Sequence, residues 1–148
     1  MKTVFDKAIR DELIGRINAL NPNSSPQWGK MNIYQMLKHC TLWEQMIAGE
    51  VPCKRVFLGR IIGKWALKNS VKDEAPMMKN AASSPELIVH EATGDVAAQK
   101  QQWITMIEKN ANFLAPAFMH PFFGEMTKEQ LGYFIYKHHD HHLRQFGG

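Results

Sequence analysis

Apolar residues recur at helical spacing in five segments of the chain. These segments cover residues 4–20, 32–48, 57–72 and 95–114, and a last one runs from Thr127 to the final pair of glycines. The third segment is the shorter, strongly basic one. The pattern predicts an all-α fold, namely a helical bundle of four long helices with an additional short helix and long connectors.

Two of the predicted helices begin with a capping sequence. Asn32 stands three residues before Gln35, and Thr127 stands three residues before Gln130, which is the spacing of a capping box. Pro116 is expected to end the fourth helix, because proline cannot continue a helix.

The connectors show no sustained strand pattern. Residues 73–93 are predicted to form a long loop, in which Leu-Ile-Val-His at 87–90 is the best short β candidate. One isolated strand cannot make a sheet. The segment 120–124, His-Pro-Phe-Phe-Gly, is predicted to be an aromatic loop before the last helix.

Length and composition fit one domain over residues 1–148, since 148 residues that are 45% hydrophobic can form a single core. The N-terminal residues lack a signal-type apolar segment, so we expect a cytoplasmic protein. Cys40 and Cys53 are expected to be free thiols. The tryptophans are expected in the core; they are Trp28, Trp43, Trp65 and Trp103.

Basic residues form one row on the third helix. Arg60, Lys64, Lys68 and Lys72 repeat every four positions, and we interpret this row as a solvated helix face, with a membrane-surface or anionic-ligand role as the alternatives. The net charge of +4 and the pI of about 9.1 do not require a nucleic acid, because no basic cluster is interleaved with aromatic residues. We therefore expect neither a nucleic acid nor a membrane as partner.

Four of the seven histidines fall within residues 138–142 of the last helix. At about 100° per residue, His138 and His142 come within about 20° of Leu131 and lie along the middle of the apolar stripe. His139 and His141 lie on the flanks of the stripe, where a supporting or solvent-facing role is expected. Two imidazoles one helical turn apart can share one metal ion.

A third ligand must come from another element, and His39 is the leading candidate because no other predicted helix carries a histidine. It lies about 80° from the centre of its own apolar stripe, so it could face inward or outward. Cys40 is a softer substitute. The set His39, His138 and His142 would leave coordination positions open, as in catalytic zinc sites. In the competing interpretation, His39 is a surface or packing residue and the cluster is incidental.

Four further residues could support such a site. His120 could line its mouth or face solvent, and His141 could lie beside the ligands. Glu44 could orient a ligand histidine or pair with a lysine. Gln145 lies almost one turn beyond His142, where it could make a polar contact or simply pack.

Three parts of the chain together resemble the DinB/YfiT-like superfamily, and more narrowly a branch described as a domain of unknown function. They are Trp-Gly-Lys-Met at 28–31 leading into Gln-Met-Leu-Lys-His at 35–39, His-Pro-Phe-Phe-Gly at 120–124, and His138-x-x-x-His142 followed by Leu-Arg-Gln-Phe. The resemblance implies a four-helix bundle of up-down-down-up topology with a divalent metal ion held by His39, His138 and His142. It also implies zinc as the first choice of metal, with nickel or iron as alternatives.

The resemblance further implies that the metal activates a low-molecular-weight thiol for transfer, and two hypotheses follow. The first is a metal-dependent thiol transferase or related hydrolase acting on a small-molecule thiol or another small substrate. Arg60, Lys64 and Lys68, or Arg144, could hold a carboxylate-bearing thiol. The second is a non-catalytic bundle, stress-related or a homodimer, with a vestigial or structural metal site.

Overall fold

The computed structural model describes residues 1–112 and 117–148. Within these residues the chain forms five α-helices, one short 3-10 helix and one two-stranded sheet. In chain order they are α1 (Lys7–Ala19), α2 (Ile33–Ile47), α3 (Phe57–Ser70), the 3-10 helix (Pro85–Leu87), α4 (Val96–Ala111), β1 (Ala117–His120), β2 (Gly124–Thr127) and α5 (Lys128–Gln145). The predicted end of the fourth helix, at Leu114 and Pro116, lies outside the described residues.

Side chains at the helix N-termini satisfy backbone amides that have no partner within the helix. Both predicted capping boxes are present: Asn32 with Gln35 begins α2, and Thr127 with Gln130 begins α5. Asp95 caps α4 by accepting a hydrogen bond from the amide of Ala98 at 2.9 Å. The sequence signals therefore place these helix starts correctly.

Four helices pack around one core: α4 contacts α1 and α2, and α5 contacts the same two helices from the other side. The helix α2 contributes the most buried apolar residues, among them Met36, Leu37 and Cys40. The fully buried centre also includes residues of the other three helices, namely Leu13 and Ile17 of α1, Trp103 and Ile107 of α4, and Ile135 and Leu143 of α5. The mostly helical fold that the sequence predicts is thus present, and α2 and α5 are in contact.

The all-α prediction omits a β-hairpin. The strands β1 and β2 pair antiparallel, from Ala117 opposite Thr127 to His120 opposite Gly124. The predicted aromatic loop is the turn of this hairpin, and Gly124 adopts a positive φ of 84° there. Strands of four residues are too short to show a clear two-residue period. Residues 87–90, the best β candidate in the sequence, form no strand: Leu87 ends the 3-10 helix, and residues 88–90 have no regular structure.

The helix α3 packs on this hairpin through its glycines. A Cβ atom at Gly59 or Gly63 would lie 2.2 or 2.3 Å from the carbonyl oxygen of Phe122, so only glycine allows this approach. Lys64 donates a hydrogen bond from Nζ to the carbonyl oxygen of Glu125 at 2.6 Å. The glycine side of α3 therefore faces the protein, together with Leu67.

This orientation overturns the expectation that Trp65 lies in the core, because its side chain is largely exposed. Trp28 is half-buried, whereas Trp43 and Trp103 are buried as expected. The spacing of the apolar residues in α3 does not show that this helix packs on the protein through its glycines.

None of the helices in the described part of the chain is both long and apolar enough to cross a membrane.

Candidate metal centre

The helices α2 and α5 bring His39, His138 and His142 together. One possible ligand atom from each lies within 4.8 Å of the others, so the group could hold a metal ion. The ring centroids are 5.5 Å apart for His39 and His138, 5.0 Å for His39 and His142, and 4.7 Å for His138 and His142. Of the two orientations open to His39, the structure shows the inward one. The three side chains remain 6 to 7% exposed.

Hydrogen bonds through Nδ1 orient the rings of His39 and His142, so that Nε2 of each ring is available for a ligand. Nδ1 of His39 lies 2.9 Å from the carbonyl oxygen of Leu87, and Nδ1 of His142 lies 2.9 Å from Oε1 of Gln145. Both oxygens accept hydrogen bonds, so each Nδ1 carries the proton and each Nε2 keeps a lone pair for a metal ion. Gln145 thus makes the polar contact, and it also donates from Nε2 to the carbonyl oxygen of Trp28 at 2.8 Å.

The third ring is held by stacking. His138 lies against Trp43 with centroids 4.2 Å apart and planes inclined by 15°. Its Nδ1 is buried and has no hydrogen-bond partner among the described residues. A buried polar atom without a partner is unusual in proteins. An imidazole with unused hydrogen-bonding capacity next to two others with free Nε2 atoms fits a metal ion.

Burial keeps the three rings neutral, which is the form that binds metal ions. Removal from water lowers the pKa of His39, although the hydrogen bond to Leu87 opposes this. Burial first, and then the neighbouring imidazoles, lower the pKa of His138 and of His142 well below the usual value. Protonation would place like charges side by side in the same small volume.

His139 belongs to a different group. Against the expectation of a flank position, its side chain is completely buried, and its Nε2 donates a hydrogen bond to the carboxylate of Glu44. Glu44 is also completely buried, and Asn110 donates from Nδ2 to its carboxylate and, at 2.8 Å, to its carbonyl oxygen. Among the described residues, the carboxylate of Glu44 thus pairs with His139 and Asn110 rather than with a lysine or a ligand histidine. No local pattern in the sequence predicts this pair, because Glu44 and His139 are 95 positions apart.

Cys40, His138 and His139 form a second group that could hold a metal ion. The thiol of Cys40 is a poor ligand as it stands: burial first, and then the charge of Glu44, raise its pKa well above the usual value. Its Sγ contacts Sδ of Met36 at 3.7 Å. Because only a thiolate binds metal well, the three-histidine group is the better donor set.

His141 lines a cavity of about 260 Å³ next to the cluster, and its ring centroid is 5.1 Å from that of His142. Burial lowers the pKa of His141, although Asp140 opposes this. Lys79 lies over the ring of Trp28 with Nζ 4.2 Å from the centroid. The other lining residues are Pro76, Met77 and Arg144. Lys79 and Met77 come from the 73–93 connector, whose sequence carries no period that could have identified them.

His120 lies in the hairpin, with ring contacts to Phe118, Phe123 and Phe134 rather than to the three histidines. It is neither a mouth residue nor solvent-facing, as it is 9% exposed. Its Nδ1 accepts hydrogen bonds from the amides of Phe122 and Phe123 at 3.1 and 3.2 Å. Burial, helped by the charge of Arg55, lowers the pKa of His120 to about 4.

Comparison with known families gives one match. The model of a family described as "Protein of unknown function (DUF1569)" matches residues 5–147, which is nearly the whole chain. No curated protein and no solved structure shows a significant match.

Proposed function

We propose that this chain, which belongs to the DUF1569 family, binds one divalent metal ion through His39, His138 and His142 and acts on a small molecule there. The observation that carries the proposal is the convergence of three imidazoles in which hydrogen bonds leave Nε2 of His39 and of His142 free. Imidazole ligands suit zinc, nickel and iron. Zinc is our first choice, in line with the resemblance to DinB/YfiT-like proteins, whose up-down-down-up topology we also propose for the four packed helices.

The proposed activity is transfer of a small-molecule thiol, or a related hydrolysis. A divalent ion at this site would lower the pKa of a bound thiol or water, so that the nucleophilic form is present near neutral pH. The protein's own part is to hold the ligand rings. The carbonyl oxygen of Leu87 and the amide of Gln145 fix the rings of His39 and His142, and Trp43 stacks on the ring of His138.

The cavity beside His142 is where we expect the substrate. Its walls combine the apolar surfaces of Trp28 and Met77 with the cationic groups of Lys79 and Arg144. The guanidinium of Arg144 is already held by Asp140, with Nε 2.7 Å from Oδ2, so it has a fixed position. Such a cavity favours a small substrate with an anionic group, for example a thiol that carries a carboxylate.

Metal titration tests the proposal. Metal-free protein titrated with zinc in a calorimeter should bind about one ion per chain. His142→Ala should abolish this binding, and the matched control His90→Ala, which removes an exposed histidine of the 73–93 connector, should not change it. Wild-type protein that binds no zinc, nickel or iron after reconstitution would disprove the metal site.

The second candidate is a non-catalytic bundle with a structural metal, and the nearly complete burial of the three histidines favours it. Cobalt substitution separates the two functions. If the site is open, adding a small thiol to the cobalt-loaded protein should produce a sulfur-to-cobalt charge-transfer band. A cobalt spectrum that the thiol does not change would leave a closed, structural site.

A further inference from the structure

One helix exposes an apolar surface that no described residue covers. Five side chains of α3 are between 37% and 76% exposed, and two of them, Phe57 and Trp65, are the most exposed aromatic residues among those that the structure describes. We name this surface the α3 apolar face; it consists of Phe57, Leu58, Ile61, Ile62 and Trp65. Scattered exposed apolar residues are ordinary, but a contiguous set of this size marks an interaction surface.

Helical spacing makes the face continuous. Phe57, Ile61 and Trp65 follow one another at intervals of four residues, and Leu58 and Ile62 form a second row beside them. The opposite side of α3 is fixed, because Gly59 and Gly63 lie against the backbone of the hairpin turn. With aromatic side chains of about 150 to 250 Å², the exposed parts of the two rings alone present on the order of 300 Å².

The charge next to this face is of one sign. Arg60, Lys68 and Lys72 are exposed and lie beside the apolar rows, whereas Lys64 is exposed but donates from Nζ to the carbonyl oxygen of Glu125 in the hairpin. Residues 51–72 contain six basic residues and no acidic residue. Since the whole chain has a net charge of +4, the rest of the chain is slightly acidic. The positive charge is thus concentrated at the helix that carries the exposed apolar face.

We propose that the α3 apolar face docks onto the surface of an anionic lipid bilayer, with α3 lying parallel to the membrane plane. Trp, Phe and aliphatic residues of a surface-bound helix enter the interfacial layer of a membrane, while Lys and Arg beside them contact anionic headgroups. Lysine and arginine side chains can extend to the phosphates while their stems stay on the apolar layer. We expected no membrane partner from the sequence, where the apolar side of α3 looked like an ordinary core-facing side.

The positive charge of α3 also argues against two other partners for the α3 apolar face. A second copy of the chain would bring a second row of cations to the rim of the same contact, where like charges repel. An acidic protein would need carboxylates matched to a row that extends about 12 Å from Arg60 to Lys68. An anionic bilayer presents negative charge over a whole plane, so its headgroups can pair with the basic row of α3 at any position along the surface.

Vesicle sedimentation tests the proposal. The full-length protein is mixed with vesicles of phosphatidylcholine alone or of phosphatidylcholine with phosphatidylglycerol. We expect binding to the anionic vesicles, weakened by added salt, and little binding to the neutral ones. Trp65→Ser should weaken binding at least about tenfold, and Lys68→Gln about fivefold. Both side chains are exposed, so neither change should alter the melting temperature.

Met78→Ser is the matched control, because Met78 is as exposed as Phe57 but lies outside α3. It should bind anionic vesicles like the wild type. Wild-type protein that stays in solution with both kinds of vesicle would overturn the proposal. So would equal binding by Trp65→Ser, or a dimer in sedimentation equilibrium that Trp65→Ser dissociates. None of these outcomes bears on the metal site, which involves no residue of α3.

Discussion

Two neighbouring histidines on α5, His138 and His139, have different surroundings and different expected roles. His138 points to His39 and His142 and is stacked on Trp43. His139 points to Glu44, and its Nε2 is engaged by a carboxylate that is completely buried. One residue along the helix therefore separates the proposed metal-binding group from a buried polar pair.

The difference shows that the partner decides the role of a histidine. A neutral oxygen from Leu87 or Gln145 orients an imidazole and leaves its other nitrogen free for a ligand. A buried carboxylate instead needs its histidine, because an uncompensated charge in the core is strongly destabilising. We therefore expect changes at His139 to affect folding and changes at His138 or His142 to affect metal binding.

The largest expected effect is on folding. His139→Ala should lower the free energy of unfolding of the metal-free protein by about 3 to 5 kcal/mol, because it leaves the carboxylate of Glu44 buried without its partner. Urea denaturation followed by circular dichroism measures this change. His90→Ala, at an exposed position, should stay within about 0.5 kcal/mol of the wild type.

A double variant tests whether the buried charge of Glu44 causes this loss of stability. Replacing both partners, as in Glu44→Leu with His139→Leu, should recover part of the lost stability, because no charge is then left buried alone. If His139→Ala were as stable as His90→Ala, the proposed separation of roles on α5 would be wrong.

The next largest effect is on metal binding. His138→Ala and His142→Ala should each weaken zinc binding by more than about 100-fold, beyond the loss typical of residues that only orient a ligand. Their metal-free forms should lose less stability than His139→Ala. Competition with a chromophoric chelator measures the affinity, and His141→Ala should retain the wild-type value. Unchanged zinc affinity in either variant would remove that residue from the site.

His120 offers a third environment, in which a neutral ring accepts two backbone hydrogen bonds. Its pKa is about 4 in the folded protein, below the usual 6.5, so its contribution to stability is full above pH 6.5 and is lost as the pH falls towards 4. Between pH 7 and pH 5 we expect the wild type to lose about 2 kcal/mol more than His120→Asn, whose side chain can accept the same amides without titrating. Equal pH dependence of unfolding in the two proteins would contradict this.

The smallest effect concerns orientation of a ligand. Gln145→Met keeps the volume but removes the acceptor for Nδ1 of His142, and we expect zinc affinity to fall about tenfold. Arg144→Met, one residue earlier and largely exposed, is the control and should leave the affinity unchanged. If the two variants bound zinc equally well, Gln145 would have only a packing role.

Local signals in the sequence were enough for much of the fold. The capping boxes at Asn32 and Thr127 and the helical periods required only neighbouring residues, and the structure contains both boxes. The spacing of His138 and His142 also defined a pair on one face of a helix. These features depend on backbone geometry that repeats within a few residues.

The remaining features depend on contacts between distant segments. The inward direction of His39 depends on the carbonyl oxygen of Leu87, and the burial of His139 depends on Glu44 from another helix. The exposed side of α3 follows from the fit of Gly59 and Gly63 against the hairpin, which itself was missed. Periodicity within one helix cannot show which neighbour will cover which side.

We propose that His39, His138 and His142 together hold one metal ion. A crystal structure of the zinc-loaded protein, with anomalous scattering recorded at the zinc edge, tests it most directly. We expect a single strong peak at about 2.0 to 2.1 Å from one ring nitrogen of each of these three residues. A peak between Cys40 and His139, or no peak among the histidines, would contradict it.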